Sequence, residues 1–540
     1  MPRLGFHFLR MPGLRCVPLI PAFFAIAAPS ARTQPGSEME RHYPVTDPKN
    51  FTRVVATVGD VAITAQEFLL SYEFGPAFAK RQKDSRKRYL EFMVNEKLLA
   101  LDARARGLGR SERVRRSLEE LEGDLATEEL YRDDVLANVR VTAGEIARAV
   151  REERIHYSLR WLFAPGDAGG AFLSSALKRG APFDTLFARQ LEGGVKSDDR
   201  SMETTLFKLR RAGPVLAAVA ETLRAGRNSA PVRGPDGWYV LRITGGWRDL
   251  SLSETESLKL EEDARSALTQ ERSDSLSDPY VRRLMLEHDP VIIRGTFDVL
   301  EEWLARIWVK PEKLVLWDLA SRPGADSATL SRIDARGRDT LVALAGGCIR
   351  LEGFLSWYRA RDTYFRLNTG DEKSFFVSVE ELVWRMVRDR LLVDRATARR
   401  LQGRDPVRKQ LGWWEDKILF GEEKNDLGGL VALDDSTLRA YYDAHRRDYR
   451  SDSGAVQTFG SVREKVRSDC YESGLRANML HRILALKQKY RVVVKDEVLM
   501  TLPVDVENDP KAIDVYIAKK GGTFPHPAFP VIDFGWQTWM

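Results

Sequence analysis

The sequence predicts an α+β chain of several domains, in which two copies of one helical module flank a smaller domain that contains strands. Three observations lead there. A chain of 540 residues with a hydrophobic fraction of 43% can bury several separate cores. Helix-period segments of the first part return in the second part in the same order. Between them, Tyr239, Leu241 and Ile243 alternate with the period of a strand, behind a Pro-Asp-Gly turn at 235–237.

Residues 1–31 have the layout of a secretory signal peptide: Arg3, Arg10 and Arg15 precede an apolar run from Val17 to Ala28, and Ala25, Ala27, Ala28, Ser30 and Ala31 offer small residues for cleavage. The run is too short to span a bilayer and Pro18 and Pro21 interrupt it, so export is favoured over an uncleaved anchor. Cys16 precedes the apolar run and does not fit a lipoprotein cleavage site. The mature protein is expected in the periplasm or another extracytoplasmic compartment. Its two cysteines would be Cys348 and Cys470, whose pairing the sequence leaves open.

The first helical module is expected over 51–155. Val55 to Thr64 reads as a hairpin with a Gly-Asp turn, leading into a helix with Phe68 and Leu69. A helix from Arg86 to Arg106 puts Leu90, Val94, Leu98, Leu101 and Ala105 on one face. Thr142 caps a helix that runs to Arg154, with Glu145 at the capping-box position.

The strand-bearing domain is expected over 156–248. Its first strand opens at His156-Tyr-Ser-Leu-Arg-Trp-Leu-Phe-Ala164. A helix ending at Gly180 and a second beginning near Phe183 follow, then the loop Ser197-Asp198-Asp199. Further on, Leu223-Arg-Ala-Gly226 ends a helix, Pro231 suits the start of a strand, and the alternating strand closes the domain.

A charged helix from Ser253 to about Glu287, a strand at Pro290 to Arg294 and a connector make up 253–340. The second module, 341–450, repeats the first. Leu341 to Leu355 repeats the hairpin and helix start. Met386-Val-Arg-Asp-Arg-Leu-Leu392 echoes Met93-Val-Asn-Glu-Lys-Leu-Leu99, and Leu401 and Val407 echo Leu108 and Val114, at one constant offset. Asp434 to Arg447 repeats the capped helix, and Tyr449 answers Tyr157. Residues 460–500 complete this copy with a helix from Ser461 to Lys489 and a strand from Arg491 to Lys495. The tail, 501–540, is rich in aromatic residues after Phe524. It is expected to pack on the body, with occupation of a client groove as the alternative.

The segment from His156 to Gly246 resembles a parvulin-type peptidyl-prolyl isomerase domain, whose fold is an antiparallel four-stranded sheet with helices. Arg160 matches the arginine of the family's Arg-His-Ile-Leu strand, Gly180-Ala-Pro-Phe183 its Gly-x-x-Phe helix start, Ser197-Asp198-Asp199 its Ser-x-Asp loop, and Ser229-Ala-Pro-Val232 its Ser-x-Pro-Val strand. Both family histidines are replaced, by Trp161 and Tyr239, and the usual Gly-Gly-Asp-Leu-Gly stretch is missing between Met202 and Arg211. The resemblance implies catalytic positions at Trp161, Asp198, Asp199 and Tyr239 and a proline pocket lined by Leu216, Val219 and Leu223. The order of segments from Phe51 to Leu499 resembles the SurA and PpiC group of exported chaperone-isomerases. There, a helical domain built from segments on both sides of a parvulin domain cradles unfolded clients.

Turning an X-Pro bond faces a barrier of about 18–20 kcal/mol and needs no covalent step, only an apolar pocket for the ring and polar groups around the carbonyl. Tyr239 keeps a hydroxyl, whereas the indole of Trp161 can only donate. Weak or lost isomerisation is therefore expected, with Trp161 and Tyr239 filling the core. The chain is read as a chaperone for unfolded or proline-containing clients, outer-membrane proteins among them, with an active isomerase and a non-catalytic envelope scaffold as alternatives. Candidate groove residues are Phe68, Tyr72, Phe74, Phe78, Trp357, Tyr358, Tyr364, Trp384, Trp413 and Trp414, provided that a cluster of them is exposed.

Other classes are set aside. A net charge of +6 with acids and bases mixed reads as solvated helix faces, not a phosphate-binding stripe, so no nucleic-acid partner is expected. The membrane enters only as the site of clients. The seven histidines show no metal-ligand spacing, no nucleophile elbow is present, and Gly169-Gly170, Gly193-Gly194 and Gly245-Gly246 carry no phosphate fingerprint, so no metal and no cofactor is expected.

Overall fold

A computed structural model of the chain describes residues 51–80, 84–192, 197–234, 236–317, 333–361, 365–451, 454–502 and 529–539. The signal-peptide reading of 1–31, Tyr364, Gly193-Gly194, Pro235 and the tail from 503 to 528 lie outside them.

Along the chain, the main elements are β1 (Val54–Val58), β2 (Val61–Thr64), α1 (Ala65–Phe74), α2 (Ser85–Ala105), α3 (Glu112–Asp134) and α4 (Ala143–Glu153). Then come β3 (Ile155–Ala164), α5 (Asp167–Lys178), α6 (Phe183–Glu192), β4 (Ser201–Thr205), α7 (Leu206–Ala212), α8 (Pro214–Thr222), β5 (Val232–Arg233), β6 (Trp238–Arg248) and α9 (Glu254–His288). The rest comprises β7 (Val291–Ile292), α10 (Arg294–Trp308), β8 (Thr340–Leu344), β9 (Gly347–Arg350), α11 (Leu351–Arg359), α12 (Glu372–Ala398), α13 (Asp405–Gly429), α14 (Asp435–Ala444), α15 (Phe459–Lys489) and β10 (Val492–Val494). The chain is α+β and mostly helical, with three small antiparallel sheets among the described residues. No described helix is long and apolar enough to cross a membrane.

The chain divides into two compact units, one of 51–134 with 280–539 and one of 135–279. In the first unit the repeat seen in sequence is a repeat of structure. The hairpin β1–β2 with α1 has its counterpart in β8–β9 with α11, and α2 and α3 theirs in α12 and α13. What sequence did not indicate is an exchange of strands. Strand β10, which closes the second copy, pairs with β1 of the first, while β7, which closes the first, pairs with β8 of the second. The helices are exchanged too, with α2 against α13 and α3 against α12.

Helix α2 was expected to bury one stripe, yet it is buried nearly all round: Leu90, Val94 and Leu98 face the core, but so do Asn95, Lys97 and Asp102. Lys97 lies between Glu67 and Asp416, at 2.7 Å from each. Without its partners a charge so buried would be expelled or neutralised. The aromatic tail docks on this unit. Trp536 is buried, stacks on Phe92 with ring centroids 5.1 Å apart, and donates its indole N–H to Glu96 at 2.8 Å. Packing on the body is therefore what the described part of the tail does.

Of the proposed groove aromatics, Phe68, Tyr72, Trp357 and Tyr358 are buried in the cores and Phe74, Phe78, Trp384, Trp413 and Trp414 are half-buried. Among the described residues they form no exposed cluster. Neither Cys348, which is exposed, nor Cys470, which is buried, forms a disulfide.

The second unit holds the sheet β4-β3-β6-β5, antiparallel throughout. Both of its faces are covered, because strands β3 and β6 carry apolar side chains at successive positions. Leu159, Trp161, Tyr239, Leu241 and Ile243 meet α7 and α8 on one face. On the other, Leu162, Ala164 and Val240 meet α5 and α6 through Leu173, Phe183, Leu186 and Phe187. The unit extends beyond 156–248 because Ile146 and Ala149 of α4 cluster with Phe207 of α7 and Ala264 of α9. The capping box at Thr142 and Glu145 forms as read from sequence.

Candidate functional site

Strand pairing assembles one cavity at the end of this sheet. Strand β4 runs antiparallel to β3, with Ser201 opposite Arg160 and Met202 opposite Leu159. The single turn Ser197–Arg200 that leads into β4 is thus delivered beside Trp161, and it is closed by the Ser201 hydroxyl donating to the carbonyl of Ser197 at 2.9 Å. From the other side, β6 places Tyr239 opposite Phe163 of β3, with ring centroids 5.1 Å apart.

The turn before β6 contributes the remaining wall. The amide of Gly234 donates to the carbonyl of Gly237 at 2.7 Å. A Cβ at Gly237 would fall 2.4 Å from the carbonyl oxygen of Ala164 and against the Phe163 ring, so only glycine lets the turn close there. Closure brings Asp236 to Tyr239, whose hydroxyl donates to its carboxylate at 2.6 Å.

The result is a cavity of about 500 Å³ whose lining includes Trp161, Asp198, Asp199 and Tyr239, the four positions singled out from sequence, together with Phe163, Arg200 and Asp236. Its floor is aromatic and its rim carries carboxylates. Trp161 and Tyr239 are 5% and 2% exposed, so most of each ring belongs to the core. Burial, reinforced by Asp236, pushes the Tyr239 hydroxyl above the ordinary tyrosine range. That proton is committed to Asp236 and is not available for transfer near neutral pH.

Leu216, Val219 and Leu223 do not line this cavity. Leu216 is buried, and all three pack in the apolar cluster with Trp161 and Tyr239. Two residues of the site escaped the sequence reading, Arg200 and Asp236. The guanidinium of Arg200 lies over the Phe163 ring at 5.0 Å, burial lowers its pKa, and its Nε is buried with no hydrogen-bond partner among the described residues. The signal for Arg200 was its place beside Asp198-Asp199 in one loop. That for Asp236 was a carboxylate in the turn before Tyr239.

An aromatic floor with one underused guanidinium suits capture of an apolar ring with a neighbouring carbonyl. No group of His, Cys, Asp or Glu among the described residues is placed to hold a metal ion.

No protein-family model and no curated protein matches the chain. Among solved structures, that of PrsA from Bacillus subtilis aligns at 17% identity and a TM-score of 0.15, covering 42% of this chain and 93% of that one. At that score neither fold nor function carries over.

Proposed function

We propose that 156–248 is a parvulin-like domain that has lost its imidazole pair, and that the chain acts chiefly as an exported chaperone. Its clients would be unfolded or proline-containing polypeptides, outer-membrane proteins among them, in the periplasm or an equivalent compartment. The observation that carries this reading is the convergence of Trp161, Asp198, Asp199 and Tyr239 on one cavity. Holding over turnover is favoured because the Tyr239 hydroxyl is tied to Asp236 and the Trp161 ring is nearly wholly buried. A hydroxyl whose single proton is already bonded to a carboxylate has none to offer a twisting amide.

The second reading is an isomerase with a rearranged site, in which Arg200 donates to the carbonyl of the turning bond. It is favoured by the Arg200 Nε, which has no hydrogen-bond partner among the described residues. A proline-peptide rotation assay on the wild type and on Asp198→Ala, Asp199→Ala, Tyr239→Phe and Arg200→Ala separates the two, run beside an assay for suppression of client aggregation. The chaperone reading expects negligible turnover and strong suppression. High turnover that falls in these variants would establish the isomerase, and absence of both activities would remove both readings. A scaffold that binds a partner through the aromatic tail is disfavoured, because Phe529 and Trp536 are buried in the body.

A further inference from the structure

The two halves of the first unit share one frame but are filled differently. By the offset that relates Met93 to Met386, Glu96 of α2 corresponds to Asp389 of α12, and Lys417 of α13 to Asp124 of α3. In the first half, the groove beside Glu96 is occupied by the chain itself. Pro530, Val531 and Ile532 lie there with Met93 and Lys417, and the backbone N–H of Asp533 donates to Glu96 at 2.6 Å. Burial opposes ionisation of Asp533, but Lys424 at 2.7 Å, joined by Lys417, holds its carboxyl below the ordinary range. The first half thus holds an extended segment by backbone hydrogen bonding and reads one acidic side chain on it.

The corresponding place in the second half is a cavity of about 640 Å³, with Asp124, Asp389, Met386 and Trp357 in its lining. Asp389 is already satisfied by the Trp357 indole at 3.0 Å and by Arg388. Asp124 is not. It is 4% exposed, one oxygen accepts from Arg361, and Oδ1 has no hydrogen-bond partner among the described residues. A buried acceptor left in that state costs free energy until a donor reaches it. Two further arginines of the lining are engaged elsewhere, Arg390 by Asp394 at 3.1 Å and Arg116 by Glu112 at 2.7 Å. At the place of Lys417 the second half has the carboxylate of Asp124, and at that of Lys424 it has Tyr131, so neither cation that faces Asp533 is kept and an acid stands in place of one of them.

We infer that this second cavity is a binding site for an extended segment of another polypeptide bearing a lysine or arginine side chain, seated as Pro530 to Asp533 are in the first half, with its cationic head at Asp124. The site is separate from the cavity on the four-stranded sheet and does not depend on what that cavity does.

The native thiol Cys348, exposed and in the lining of this cavity, gives a local probe, since Cys470 is buried. The full chain carrying Cys16→Ser is labelled there with an environment-sensitive fluorophore and titrated with two synthetic peptides. One has the sequence of 529–540 and the other the same sequence with lysine in place of Asp533. The lysine peptide should saturate the signal, bind about tenfold more tightly than the aspartate peptide and weaken as salt is raised. Asp124→Asn should remove that preference. Equal affinities, a preference untouched by Asp124→Asn, or no response to either peptide would overturn the inference. Should Asp124→Asn fail to fold by circular dichroism, Glu120→Gln in the same cavity must weaken the lysine peptide several-fold, and an unchanged affinity overturns the inference equally.

Discussion

Arg106 donates to the carboxylate of Asp426 at 2.5 Å, and one repeat offset away Arg399 makes the same bond to Asp133 at 2.8 Å. Each arginine follows the long helix of its own copy, and each acid lies near the end of the other copy's next helix. The ion pairs therefore obey the approximate two-fold symmetry that also exchanges the closing strands. Their surroundings differ. Arg106 also holds Glu423, whose side chain is fully buried, whereas Asp133 and Asp134 beside Arg399 each remain 27% exposed.

That difference sets the expected energies. Arg106→Ala leaves a buried carboxylate short of its main partner and should lower the unfolding free energy by about 3 kcal/mol. Arg399→Ala loses only half-exposed pairs and should cost about 1 kcal/mol or less. Urea unfolding of the two variants measures both, and equal losses would contradict the asymmetry.

Trp536→Ala should be among the most damaging changes in the chain, at about 3–5 kcal/mol. It removes a ring stacked between Phe92 and Phe420 and strips Glu96 of one donor. Trp536→Phe keeps most of the area and should cost about 1–2 kcal/mol, mainly the lost hydrogen bond. Thermal unfolding of the pair would separate packing from bonding.

Asp124 gives a pH dependence with a definite sign. Burial, opposed by Arg361 and reinforced by Asp389, raises its carboxyl from 3.8 to about 6. Because the folded value lies above the unfolded one, its contribution to stability is complete below pH 4 and is lost as pH rises through 6, by at most about 3 kcal/mol. The stability of the wild type relative to Asp124→Asn should fall across that window and be level above it. Unfolding free energies at pH 4, 5, 6 and 7 test this, and a difference that rises with pH would reverse the assignment.

Tyr239→Phe should leave the sheet intact and cost about 1 kcal/mol, because it deletes one bond to a half-exposed carboxylate. In a pH titration the variant should hold back one tyrosine fewer beyond the ordinary range than the wild type, in which Tyr239 joins Tyr89, Tyr280 and Tyr449 in being raised. A far larger loss would mean that Asp236 anchors the turn through Tyr239 alone.

The repeat was legible because helices announce their buried positions at fixed spacing, so Met93 and Met386 could be matched without coordinates. The sheet from Ile155 to Arg248 was legible through alternation and through Gly and Pro at its corners, and the four positions from Trp161 to Tyr239 do meet. The exchange of β7 and β10 was not legible, since strands of two and three residues state which face is apolar but not whose edge they join. Nor was the engagement of Lys97. A lysine in a helix looks like a solvated residue until the acids of two other helices are placed against it. Leu216, Val219 and Leu223 show the converse limit, because apolar spacing identifies a buried face without telling a pocket from a core.

The pairing of β1 with β10 also sets a timetable. Residues 54–58 are made long before the edge they need, 492–494. Until then the opening hairpin has a bare flank, and the core beneath it lacks Leu419, Phe420, Met479 and Ile483. The hairpin is thus sealed long after it is made, and a ribosome stalled before residue 490 would leave it with one bare edge.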